Sequence, residues 1–183
     1  MNGYYTTRLM HGLMKLILSG LLLVLPGLHL QAQEQQEEVN YSDPQTWLLG
    51  YFDYDSFLDE PHDAWFGREF SNYSFDDKSF LELEQKGIDD AVIIVVLGTW
   101  CPDSRREVPR FMKITESLGY DPDKIKFIGV DSYKEAPVDD YDSLNIEKVP
   151  TFIFYDDKHE LGRIIEYPET SLEKDMLNIF SRR

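Results

Sequence analysis

The chain has 183 residues, enough for one domain with an ordinary core plus extensions. Its 42% hydrophobic and 14% aromatic content is too rich for a disordered chain. A formal net charge of -16 repels phosphate backbones, so nucleic acid is not an expected partner.

The first segment reads as an export signal. Arg8 and Lys15 give a basic start, Leu16 to Leu25 is nearly all apolar, and Pro26, Gly27 and then Gln31-Ala32-Gln33 follow. Cleavage is expected after Ala32, which makes residues 1–32 a signal peptide. The apolar run is short for a membrane span, so no stable span is expected once the signal is removed; an uncleaved N-terminal anchor is the alternative. Export to the periplasm or the medium implies an oxidising compartment, where even cysteine counts and structural disulfides are usual. This chain has one cysteine, Cys101. It cannot close an intramolecular disulfide, so it is either buried and inert or a reactive thiol.

Residues 33–74 form a polar leader followed by an aromatic-rich extension. Asp43 and Pro44 suit an N-cap and a first helical position, and Trp47, Tyr51, Tyr54 and Leu58 recur at helical spacing up to Pro61. Trp65, Phe66, Phe70, Tyr73 and Phe75 continue the aromatic content. Such a stripe could be a ligand platform, but packing on a core is the expected role.

A domain is expected over 75–183. Asp76 or Asp77 caps a helix that runs to Lys86 and stops at Gly87. Ala91 to Leu97 is a continuous, mostly β-branched run, as in a strand buried on both faces. A helix from about Pro102 to Leu118 contains Pro109, which should kink it. Lys126 to Asp131 is a second buried strand, and the strand–helix–strand order makes the two parallel. A short helical stretch around Val138 to Leu144 precedes Val149-Pro150. Thr151 to Tyr155 and Gly162 to Glu166 flank a polar turn and read as an antiparallel hairpin. The last helix starts on an expected capping box, Thr170 with Glu173, and buries Leu172, Met176, Leu177 and Phe180. The result is an α/β sandwich with a mixed sheet flanked by helices.

Cys101 falls where a buried strand meets a helix N-terminus, whose free N–H groups and dipole favour a thiolate. Pro102 fits the first turn because it has no N–H to satisfy. Arg105 and Arg106 add positive charge and Asp103 opposes it, so Asp103 and Arg105 are the candidate tuning residues.

At this point the chain resembles the thioredoxin family. The resemblance rests on the strand ending in Trp100-Cys101, the Cys-x-x-Ser motif Cys101-Pro102-Asp103-Ser104, Pro109 eight residues after the cysteine, and Val149-Pro150-Thr151. It covers about residues 75–181 and implies a thioredoxin-like fold, with Pro150 cis and lying against the cysteine. It also implies that Trp100, Pro102, Val149, Pro150 and Thr151 form the substrate-binding edge. Two departures agree with each other. Ser104 stands in the place of the resolving cysteine, and Val95 in the place of the buried acid that helps a resolving cysteine to deprotonate. Ser104 is then expected to donate a hydrogen bond to the Cys101 thiolate and to share the catalytic role with it.

The chemistry left is monothiol exchange. Cys101 attacks a substrate disulfide, and a second thiol releases the mixed disulfide. That thiol comes from the substrate itself, from a small thiol or from an external protein reductant. No cofactor is needed. No metal site is expected, because His11 and His29 lie in the signal and His62 and His159 stand alone, as surface or satisfied histidines. A peroxidase reading fails because the pattern Pro-x-x-x-Thr-x-x-Cys is absent. The rival to exchange is a redox-inactive thioredoxin-fold module that binds a partner in the groove beside Cys101 and Pro150.

Overall fold

The structure, a computed structural model, describes residues 39–156 and 159–182. The expected signal peptide, most of the leader, and residues 157–158 of the polar turn lie outside the described residues. Elements follow in the order β1 (Gly50–Phe52), α1 (Asp63–Asn72), α2 (Asp77–Lys86), β2 (Ala91–Leu97), α3 (Pro102–Ser117), β3 (Ile125–Gly129), β4 (Thr151–Asp156), β5 (His159–Ile165) and α4 (Leu172–Phe180). The five strands form one mixed sheet in the order β1-β3-β2-β4-β5. β2 and β3 are parallel across α3, as the expected crossover requires, and β4 and β5 pair as the expected antiparallel hairpin. Among the described residues no helix is long and apolar enough to cross a membrane.

One face of β2 is fully buried and the other is buried at Val96 and half-buried at Val92 and Ile94, which explains its unbroken apolar run. Successive side chains alternate between faces. Ile93, Val95 and Leu97 join a core that takes residues from all four helices, including Phe111, Met176 and Phe180. Val96 joins a second cluster with Cys101, Ile128, Val130, Tyr141 and Val149, over which Ala136, Val138, Leu144 and Ile146 pack. The site is therefore built where β2 and α3 meet the segment between β3 and β4.

Most aromatic residues before β2 pack into or onto the core. Phe57 and Phe66 stack at 5.0 Å, and Phe57 meets Phe127 of β3 edge-on at 5.2 Å. The helix expected from Pro44 to Leu58 does not form. Asp43 caps only a 3-10 turn, Pro44–Thr46, before β1 pairs antiparallel with β3. Gly50, at φ +74, breaks any helical continuation, and Tyr51 and Leu58 face solvent. The real helix in this region is α1, which packs on α3. Its N-cap position, His62, makes no side-chain cap bond and so carries no start signal.

Two further expectations need correction. Helix α4 is capped by Ser171, whose Oγ accepts from the Lys174 N–H, and not by Thr170. The shift turns Glu173 inward. It is fully buried, accepts from the Tyr73 hydroxyl at 2.9 and 3.0 Å, and accepts from the Asp76 N–H at 3.3 Å. Burial and the Glu173 carboxylate together push the Tyr73 phenol well above its ordinary range. His62 is also not a surface or satisfied histidine. It is 4% exposed, its Nδ1 has no hydrogen-bond partner among the described residues, and burial lowers its pKa.

Candidate functional site

Beyond Leu97 the chain turns through Gly98 to Cys101, whose N–H donates to the Gly98 carbonyl at 2.9 Å. Cys101 is the N-cap residue of α3, in extended backbone conformation, with Pro102 at the first helical position and exposed. The Cys101 carbonyl accepts the first bond of the helix, from the Arg105 N–H at 3.1 Å. The thiol is 7% exposed and donates to the Val149 carbonyl at 3.4 Å. The Val149–Pro150 peptide bond is cis. Three expected site residues, 48 and 49 positions apart in sequence, thus meet at one point. Thr151, the first residue of β4, is buried and donates from Oγ1 to the Lys148 carbonyl at 2.7 Å, while the Pro150 carbonyl accepts from the Glu166 N–H at 2.6 Å. Both bonds fix the strand start that carries Val149 and Pro150.

Ser104 does not play the part expected of it. It is fully buried, and its Oγ accepts from the Gly98 N–H at 3.3 Å instead of bonding the Cys101 thiol. Helical side chains lean toward the N-terminus, which carries the hydroxyl back to the turn before the cysteine, where Gly98 has an N–H to satisfy. Ser104 therefore shapes the turn that presents Cys101. Trp100 is half-buried, and its indole N–H donates to the Val130 carbonyl at 3.0 Å. Gly98 makes room for that ring, since a Cβ there would fall 2.5 Å from it.

The two expected tuning residues are engaged differently. Asp103 is paired with Arg106 at 2.7 Å, and Arg106 also meets the buried Glu107 at 2.6 Å. The opposing charge of Asp103 is therefore largely answered within the first two turns of α3. Arg105 has no carboxylate partner among the described residues. Its Nη1 donates to the Thr99 carbonyl at 2.8 Å and to the Trp100 carbonyl at 2.9 Å, the two residues before the cysteine. Its guanidinium lies over the Tyr41 ring, 4.5 Å from the centroid. Burial pushes its pKa below the ordinary value, against the attraction of Tyr41 and Cys101.

Several residues at the site carried no local signal. Thr99, fully buried, donates from Oγ1 to the Thr46 carbonyl at 3.4 Å and accepts from the Leu48 N–H at 3.3 Å. Trp47 lies 6.3 Å from Trp100, ring to ring. Only the aromatic richness of the extension hinted at these contacts, and it did not say where they would land. Among the described residues no cluster of His, Cys, Asp or Glu could hold a metal ion.

No curated protein matches. A solved protein of unknown function from Pseudomonas aeruginosa superposes with a TM-score of 0.52 at 14% identity, over 72% of this chain and 91% of that one. An HIV epitope scaffold gives a TM-score of 0.48 at 15% identity, over 72% and 92%. The family model described as thioredoxin matches residues 72–177. That span is more than half of the chain and contains Cys101, α3 and cis-Pro150, so the chain belongs to the thioredoxin family.

Proposed function

We propose that this protein is an exported monothiol thiol–disulfide exchange protein, isomerase- or reductase-like, that works with an external thiol. The observation that carries the reading is the meeting of Cys101, at the N-cap of α3, with the Val149 carbonyl beside cis-Pro150. A helix N-terminus carries unpaired N–H groups and the positive end of the helix dipole, which favour an attacking thiolate beside it; in the resting thiol Sγ makes no cap bond and donates to Val149 instead. The Cys101 thiolate attacks one sulfur of a substrate disulfide. The substrate S–S bond breaks, the S–S bond to Cys101 forms, and the leaving sulfur departs as a thiolate. A second thiol then attacks the mixed disulfide and frees Cys101. If that thiol belongs to the substrate, the substrate is isomerised; if it is external, it leaves joined to the substrate half, a further external thiol displaces that half, and the substrate ends reduced with two external thiols oxidised to a disulfide per turnover.

One observation favours the rival, a redox-inactive binding module. Cys101 is only 7% exposed, so a substrate sulfur reaches it only if the groove opens. The two readings part on a simple experiment. The folded protein is incubated with a peptide containing a disulfide and analysed by intact mass. Exchange gives an adduct of one peptide half on Cys101 that added thiol removes, and Cys101→Ser gives none. A wild-type protein that stays unmodified unless denatured would leave the binding module standing.

Export is tested separately. Protein recovered from the exported fraction should have the mass of a chain beginning near Gln33. A chain retaining Met1 would support an anchor instead.

A further inference from the structure

The extension ahead of the region matched by the family model reaches the cysteine loop through contacts that are specific in chemistry and direction. Tyr41 is held at both ends: its hydroxyl donates to the Pro61 carbonyl at 2.6 Å, and its own carbonyl accepts from the Trp47 indole N–H at 2.9 Å. The ring so fixed supports the Arg105 guanidinium at 4.5 Å. Arg105 in turn bridges the carbonyls of Thr99 and Trp100 through one nitrogen. A second line of contact runs beside it, from Thr46 and Leu48 to the Thr99 hydroxyl.

We propose that Tyr41 and Arg105 form a brace through which the N-terminal extension positions the Cys101 loop and so sets the reactivity of the thiol. Arg105 carries a planar fork of donors and, unlike Arg106, Arg110 and Arg163, makes no ion pair among the described residues. Its Nη1 donates to both carbonyls that lead into Cys101, which holds the turn in the one conformation that sets Sγ at the start of α3. The Tyr41 face fixes the plane of the guanidinium by a cation–π contact. Without the ring Arg105 is free to turn towards the acidic surface, the Thr99 and Trp100 carbonyls lose their shared donor, and Sγ is no longer confined to the helix N-terminus. Tyr41 and Arg105 are positioning residues. The inference rests on the exchange reading only in treating Cys101 reactivity as the property that matters.

The test uses the whole exported chain and a small aromatic disulfide whose released thiol is coloured, with melting curves run in parallel. Tyr41→Leu should slow the reaction of Cys101 about three- to fivefold, the factor that matches a cation–π contact of this kind. Tyr41→Phe keeps the ring but loses the bond to Pro61, so it should melt lower than the wild type yet react faster than Tyr41→Leu. Arg105→Lys keeps the charge but not the planar guanidinium that lies on the Tyr41 ring, and it should remain slow. Full rescue by lysine would overturn the brace in favour of simple charge. Equal rates in the wild type, Tyr41→Leu and Tyr41→Phe, or rates that merely follow melting temperature, would overturn it altogether. The small disulfide reports on Cys101 whether or not peptide disulfides are substrates. Failure of the peptide adduct with intact rate differences therefore counts against the exchange function and not against the brace.

Discussion

Gly129→Ala should cost the fold about 3 kcal/mol, at the upper end of what overpacking usually costs. Gly129 ends β3, in register with Leu97 on one side and Gly50 on the other. The backbone of the extension crosses directly over it: a Cβ would lie 2.0 Å from the Leu48 carbonyl oxygen and 2.6 Å from the Leu48 carbonyl carbon. Neither atom is the end of a flexible side chain. To admit the methyl group, residues 48 and 49 must lift, which pulls the Leu48 N–H from Thr99 and strains the three-residue pairing of β1 with β3. A loss of that size corresponds to a fall in melting temperature of roughly 10 °C for a domain of this length. Thermal or urea unfolding of Gly129→Ala against wild type measures it. A midpoint unchanged within error would mean that residues 48 and 49 rest loosely on the sheet. The contacts from Thr46 and Leu48 to Thr99 could then not bear on the cysteine loop.

That dependence on a remote glycine explains where the sequence was readable and where it was not. β2 is legible because neither of its faces is left open to solvent, one being buried and the other at least half-buried, which leaves seven apolar residues in a row. Helix α2 was legible from chemistry internal to it. Asp76 caps the Ser79 N–H, and Gly87 sits at φ +74 where the helix stops. The meeting of Cys101 with Val149, beside cis-Pro150, follows from the family resemblance and not from local pattern, because 48 positions separate Cys101 from Val149. The extension misled for the same reason. Trp47, Tyr51, Tyr54 and Leu58 have helical spacing, yet the segment is decided by tertiary contact: β1 exists because β3 offers an edge and a glycine. Likewise Thr170 and Glu173 satisfy the capping-box pattern, but Tyr73 and the Asp76 N–H draw Glu173 into the interior and the cap moves to Ser171. Ser104 is expected beside Cys101 as its hydrogen-bond partner, yet its oxygen accepts from the Gly98 N–H instead. In each case a nonlocal or backbone demand outweighed a plausible side-chain pattern.

Ser104→Cys should turn the monothiol site into a dithiol one, changing the oxidised protein from one free thiol to none. Positions 101 and 104 are three apart at the start of α3, so their side chains are neighbours on one face. The cost is modest and has an identifiable source. Ser104 is fully buried with its oxygen on the Gly98 N–H, and sulfur is a weak acceptor, so the reduced variant should lose about 1 kcal/mol of stability. Mixed disulfides on Cys101 should become short-lived, because the introduced thiol attacks them from within the protein. Resolution should still be slow. Val95 is fully buried in β2 and offers no carboxylate to take the proton from the new thiol. Val95→Asp would supply one, at the expense of burying a carboxylate in the central strand. Thiol titration after mild oxidation decides the first point, and the lifetime of the peptide adduct decides the second. A variant that keeps two free thiols, or holds its adduct as long as the wild type does, would show that Ser104 shapes the Gly98 turn in a place where a sulfur cannot reach Cys101.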